Sequence, residues 1–260
     1  MRLLRHPAKC GAPRNDILPM DETYRTKAIV LNRRPFNEDD TLVIIYSLDK
    51  GKLELVARGT RKIKSKLAGH LEPFCLAEIM VVRGRQYDYI GAAASENCYF
   101  NIKNNLAKIA AASQAINIFN RIIKPKQAEA EVFKLVKDFL DTLNRCLPVM
   151  VDQKLLANFF IFKLLIKLGY QPELYHCVKC RNKILPQGNK FDLAAGGLIC
   201  QKCLTKFRSK NQLTISQNTI KILRLAEKSN FRELLKVKID KKDEKEIKDI
   251  VGSFLNYHFF

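Results

Sequence analysis

Cys177-Val-Lys-Cys180 and Cys200-Gln-Lys-Cys203, nineteen residues apart, constrain this chain more than any other feature. Two CxxC knuckles let four thiolates converge tetrahedrally on one ion, and that ligand set and spacing favour zinc. With Cys177, Cys180, Cys200 and Cys203 filling every position, no place is left for a water, so the expected site is structural. A redox pair would instead need one CxxC with an activated thiolate at a helix N-terminus. His176 abuts the first knuckle as a neighbour rather than a ligand. Cys75, Cys98 and Cys146 lack spaced partners and are expected to pack as small apolar side chains.

A formal charge of +20 on 260 residues, with +6 of it between 177 and 208, points to a polyanionic partner, because no acidic segment offsets the excess. A membrane is the weaker partner: the most apolar run, 155–168, is too short to span and carries Lys163 and Lys167. The basic N-terminus has no apolar signal core, which predicts a reducing cytoplasm and cysteines that act as thiols or metal ligands. Residues 1–20 show no periodicity and read as a disordered extension or a mis-assigned start, with Met20 the alternative initiator.

From Tyr24 the pattern predicts five short strands, at 24–32, 41–47, 52–57, 75–82 and 86–94, with Asp49-Lys-Gly51 as a tight hairpin. This fits a small closed barrel of the oligonucleotide-binding (OB) type, the alternative being an SH3-like barrel. Between the third and fourth strands runs Arg58-Gly-Thr-Arg-Lys-Ile-Lys-Ser-Lys66, a solvated loop with only Ile63 and Leu67 to bury. Arg58, Arg61, Lys62, Lys64 and Lys66 are the candidate phosphate contacts, extended by Arg33, Arg34, Arg83 and Arg85 on the barrel rim. Phe36, Tyr87 and Tyr89 are candidate stacking platforms, set against the commoner role of barrel aromatics as core. Glu38-Asp39-Asp40 reads as a polar lead-in to a strand rather than a nuclease metal site.

Residues 102–168 predict helices. Leu106, Ile109, Ala112, Ile116, Phe119 and Ile123 form one stripe, and Val132, Val136, Phe139, Leu143 and Leu147 a second. A third helix, from about 152 to 168, is apolar nearly all round, so it should sit centrally and stop at Gly169. Ser216 can cap a later helix, and the last segment, 243–257, presents Ile247, Ile250, Val251 and Phe254 on one face, with the terminal 256–260 expected to tuck into the bundle. The chain therefore reads as α+β: an OB-fold barrel over 21–100, and an α-helical domain over 101–260 with a four-cysteine zinc ribbon inserted at about 175–206.

Several landmarks, in this order and spacing, resemble the bacterial recombination mediator RecO family. They are Tyr24-Arg-Thr-Lys-Ala-Ile-Val-Leu31, the 59–66 linker, Gly69-His-Leu-Glu-Pro-Phe74, Leu168-Gly-Tyr-Gln-Pro-Glu-Leu174, and Phe191 to Gly197 leading into Cys200. The resemblance covers about 24–255. It implies binding of single- and double-stranded DNA, annealing of complementary strands, and cooperation with RecR to load RecA onto DNA coated by single-stranded-DNA-binding protein, whose acidic C-terminal tail would be a contact. It also implies a cytoplasmic, nucleoid-associated protein with no catalytic residues. Trp is absent, so any stacking must use Phe or Tyr. An RNA-binding factor is the alternative function. A hydrolase has no support in GxxxxGK[ST], HExxH or GxSxG motifs, none of which occurs.

Overall fold

The computed structural model describes residues 23–146 and 152–260. The question of Met20 and the expected core role of Leu147 lie outside them.

Five strands rich in β-branched residues form the first half: β1 (Thr23–Pro35), β2 (Thr41–Ser47), β3 (Gly51–Ala57), β4 (Leu76–Val82) and β5 (Tyr89–Asn97). They close in the order β1-β2-β3-β5-β4, with β4 returning to β1. Closure rests on one parallel pairing of β3 with β5, Val56 opposite Tyr89, while every other ladder is antiparallel. This is the OB-type barrel, and it removes the exposed edges an open five-stranded sheet would carry. Alternate side chains fill the interior, where Val30, Val43, Ile45, Leu55, Ile79 and Val81 are buried.

Helices α1 (Phe100–Lys103), α2 (Leu106–Ile122), α3 (Ala130–Arg145) and α4 (Gln153–Lys167) follow. As expected, α4 is central: Leu155, Leu156, Phe159, Phe160, Leu164 and Leu165 are all buried. It ends in a Schellman motif at Gly169 (φ 90°), where the Tyr170 N–H donates to Leu165 O and the Gly169 N–H to Ile166 O. The α2 stripe starts later than its spacing suggested, since Leu106 is 82% exposed while Ala112, Ile116, Phe119 and Ile123 are buried.

The short strands β6 (Lys190–Asp192), β7 (Gly197–Ile199) and β8 (Gln212–Thr214), with α5 (Gln201–Leu204) between β7 and β8, make the ribbon. Helices α6 (Gln217–Lys228), α7 (Phe231–Leu234) and α8 (Lys241–Phe259) return the chain to the bundle. Ser216 caps α6 by accepting from the Thr219 N–H. Its Oγ also donates to Asp243 at the start of α8, so the cap ties the two helices together. Ile247, Ile250, Val251 and Phe254 dock as the spacing predicts, and the chain tip tucks in only in part: Phe259 packs against the core and His258 lies against Tyr170 and Phe254. Tyr257 and Phe260 remain 48% and 58% exposed, and the Arg121 guanidinium lies over the Phe260 ring. Among the described residues, no helix is long and apolar enough to cross a membrane.

Barrel and bundle share one core. Ile29, Leu31, Ile44, Tyr46 and Leu76, on the outside of the barrel, belong to the same buried cluster as α2, α3 and α4. The Tyr46 ring meets Phe119 edge-on at 5.0 Å, and its hydroxyl accepts from the Glu129 N–H. At this seam Gly51 (φ 69°) lies so close to the α2–α3 connection that a Cβ would stand 2.3 Å from the Gln127 carbonyl oxygen. Gly51→Ala therefore combines a left-handed backbone with a backbone clash and should cost about 2–4 kcal/mol, read as a lower urea midpoint. An unchanged midpoint would mean that the seam yields freely.

Candidate nucleic-acid interface and metal centre

The basic linker is a succession of turns from Arg58 to Phe74, as its composition predicts, but it is held rather than loose. The acids before β2 hold it: Asp40 Oδ1 accepts from the Gly59 N–H at 2.9 Å, and Asp39 pairs with Lys62 at 3.2 Å. The Arg61 guanidinium donates to the carbonyls of Asn37 and Glu38, and its backbone N–H to Asp39 O. Glu38-Asp39-Asp40 thus works as an anchor for the linker. Thr60 adds a hydroxyl bond to Thr41 at 2.8 Å.

This anchoring folds the linker over the barrel end and leaves a cavity of about 410 Å³, walled by Arg33, Arg34, Arg61, Thr41, Thr60 and Glu72. Three of the nine candidate cations therefore share one concavity. Arg33 also reaches the Ala68 carbonyl, and Arg34 lies 3.9 Å from Glu54. Lys64 and Lys66 are exposed on the outer turns, and Arg83 and Arg85 are exposed at the β4–β5 turn. Arg58 lies elsewhere, its guanidinium 3.9 Å over the Tyr89 ring.

The aromatic candidates resolve into two arrangements. Phe36, from the β1–β2 turn, and Tyr87, from the β4–β5 turn, meet edge-on at 5.1 Å, with Tyr87 43% exposed. Tyr89 has one face covered by Arg58. The Phe36–Tyr87 pair therefore bridges the two loops that flank the binding face of OB barrels.

One expectation fails instructively. Ile63, expected to bury, is fully exposed at the tip of the linker between Lys62 and Lys64, while Leu67 alone packs on the barrel core. Tying Arg61 and Lys62 back to the acids turns Ile63 outward. An apolar side chain flanked by cations at a loop tip suits contact with a base, and its only sequence signal was its isolation in a polar run.

In the ribbon, Cys177, Cys180, Cys200 and Cys203 converge with all four sulfurs within 4.8 Å of one another. Cys180 and Cys200 Sγ are 3.8 Å apart, close to the edge of about 3.8 Å expected for a tetrahedron with ~2.3 Å zinc–sulfur bonds. The first knuckle is a tight turn in which Arg181 takes a left-handed φ of 61° and donates its N–H to Cys177 O. The second leads into α5. Burial raises the Cys177 thiol, but backbone N–H groups of Cys180, Cys200 and Lys179 outweigh it and lower the group to about 6. Burial and the neighbouring sulfurs push Cys203 up to about 12. One thiolate is welcome there and a fourth is not unless a cation neutralises it, so the donor set fits a bound metal ion. Among the described residues this is the one cluster of cysteine, histidine and acidic groups that could hold a metal.

Cys75 and Cys98 are not isolated. Their sulfurs lie 2.8 Å apart where β4 and β5 pair, and Lys103 Nζ donates to Cys75. Burial, then the contact with Cys98, pushes the Cys75 thiol up to about 12. The signal that would have found this pair is the ladder register, since Leu76 opposite Asn97 puts residues 75 and 98 side by side.

Residues 20–99 match the family model described as Recombination protein O N terminal, and residues 103–260 the one described as Recombination protein O C terminal. Among curated relatives, the DNA repair protein RecO of Dehalococcoides mccartyi (strain CBDB1) is 30% identical over 218 residues, covering 84% of this chain and 83% of that protein. The protein of the same name from Desulforamulus reducens is 27% identical over 235 residues, covering 90% and 89%. That from Thermoanaerobacter sp. (strain X514) is 26% identical over 235 residues, covering 90% and 92%.

Proposed function

Because this chain belongs to the RecO family of DNA repair proteins, we propose that it is a non-enzymatic mediator that anneals complementary single strands and, with RecR, promotes RecA loading onto DNA coated by single-stranded-DNA-binding protein. The observation that carries this reading is the cavity on the barrel end, which Arg33, Arg34 and Arg61 line together. Annealing breaks and makes no covalent bond. It needs phosphate repulsion between two strands relieved while their bases stay free to pair. Arg33 and Arg61, held by backbone carbonyls, suit this, because a carbonyl orients a guanidinium without neutralising it, whereas a carboxylate such as Glu54 beside Arg34 offsets its charge. Lys64, Lys66, Arg83 and Arg85 extend the track, and the Phe36–Tyr87 pair offers a ring edge to a base.

The four-cysteine centre fits zinc in a structural role, with Cys177, Cys180, Cys200 and Cys203 as ligands. A tetrathiolate ion supplies a rigid crosslink and keeps no open position for chemistry. The bacterial cytoplasm, beside the nucleoid, is the compartment in which this activity and reduced thiols belong together.

The deciding experiment is annealing of labelled complementary oligonucleotides, bare and pre-coated with single-stranded-DNA-binding protein, without nucleotide. Annealing on coated strands without cleavage is the expected result. Binding of bare strands with no annealing of coated ones would remove the mediator reading, and a stronger competition by RNA than by DNA would turn it toward RNA.

A further inference from the structure

The ribbon carries a surface that the barrel reading does not use. Between 177 and 210 the only acid is Asp192, and it is buried. Its carboxylate is already engaged, accepting from the Ala195 N–H and from Gln212 Nε2. Every exposed ionised side chain of the segment is therefore a cation. This contrasts with the barrel, where Arg25, Lys27, Arg34 and Lys62 each face a carboxylate within 4.0 Å. Lys179, Lys206 and Arg208 have no such partner among the described residues.

These three cations line one cavity with an aromatic ring. Phe207 is 50% exposed, with Lys179 Nζ 5.7 Å from its centroid, and Phe207, Lys179, Lys206 and Arg208 line a cavity of about 470 Å³ together with Asp192 and Gln212. The main chain that carries the ring is held in place: the Phe207 N–H donates to Cys203 O, and its carbonyl accepts from Gln212 Nε2. Fixing a large apolar side chain half out of the surface costs hydrophobic free energy unless something covers it. Among cations, the cover that suits a flat ring is another flat ring bearing a nearby negative charge.

We infer that this face of the ribbon binds a second single strand of nucleic acid, with one base stacked on Phe207 and its flanking phosphates on Lys179, Lys206 and Arg208. The inference rests on the reading that the barrel rim takes the first strand, and it supplies what annealing by one protein requires, a separate seat for the complement. An acidic peptide would match the charges but has no need of the ring.

Because the chain has no Trp, Phe207→Trp in the full-length, metal-loaded protein makes a sole reporter at the site. The expected result is quenching of this fluorophore on adding oligo(dT), persisting when Arg58, Arg61, Lys62, Lys64 and Lys66 are all changed to Ala. Phe207→Leu, which keeps bulk and loses the ring, should weaken binding of the second oligonucleotide about 5- to 100-fold. Lys179→Ala with Lys206→Ala and Arg208→Ala should lower the single-strand salt slope by about 2. A Trp signal that stays constant while anisotropy reports oligonucleotide on the protein would overturn the proposal and leave the barrel reading standing. Quenching with no effect of the linker variant on total binding would keep the ribbon as a nucleic-acid seat but remove the barrel seat, and with it the proposal that the ribbon holds a second strand. Equal quenching by a polyglutamate peptide would show an acidic-peptide surface and also sink it. Metal content and melting temperature, measured on each variant, separate loss of contact from loss of fold.

Discussion

Replacing Cys177 and Cys203 by Ser, or removing the ion with a strong chelator, should unfold the ribbon and open it to trypsin between residues 177 and 210. The sheet there has three strands of only three residues each, too short to hold themselves. A structural tetrathiolate zinc contributes an apparent ~10–16 kcal/mol, comparable with the whole stability of an ordinary domain, about 5–15 kcal/mol. Losing it also leaves Cys203 buried beside other sulfurs with its thiol pushed up to about 12. Phe191, which packs edge-on against Phe254 of α8 at 5.5 Å, would carry the damage into the bundle as a lower melting temperature. One equivalent of zinc per chain by elemental analysis, lost in the double variant, is the companion measurement. A chain that resists trypsin after complete chelation would show that the ribbon stands without metal.

Changing Arg58, Arg61, Lys62, Lys64 and Lys66 together to Ala should cut single-strand affinity on the order of 100-fold or more at low salt. Each phosphate contact contributes about −0.7 to the slope of log affinity against log salt, so losing five should flatten that slope by roughly 3–4. The geometry sharpens the test. Arg61 and Lys62 also anchor the linker to residues 37–39, so their loss moves the loop as well as discharging it. Lys64→Ala with Lys66→Ala touches no such bond and should flatten the slope by about 1.4 with the fold unaltered. If the slope is the same in the five-fold variant as in the parent, the linker is not where phosphates bind.

The strands, the hairpin at Gly51, the central helix and the four-cysteine centre were legible in the sequence because each is specified locally, by alternation, a turn residue, period or spacing. The misplacements came from a turn bond that the alternation hides and from contacts between distant residues. The fifth strand runs from Tyr89 to Asn97 rather than over 86–94, because Asp88 accepts from the Gly84 N–H and turns the chain there. Ala92, Ala93 and Ala94, which look like the end of a strand, continue it instead opposite Met80, Ile79 and Glu78. Ile63 was pushed outward by acids some twenty residues earlier, and Cys75 met Cys98 through a ladder register that no local pattern encodes. At the candidate site the cations were visible, but not which of them would converge, since that is decided by how Asp39 and Asp40 fold the linker back.

The seam at Gly51 and Tyr46 also bears on how the chain can be divided. Its two family segments, 20–99 and 103–260, abut at a stretch where Tyr99 and Ile102 are both 0% exposed, sunk in the core that the barrel shares with the helices. A cut there would pass through the middle of a packed interior and leave each fragment with a bare apolar wall. The two segments are separate pages of sequence but one thermodynamic object: heat or denaturant that melts the bundle takes away the wall on which the barrel's outer strands rest. Each half keeps its shape only in the other's company.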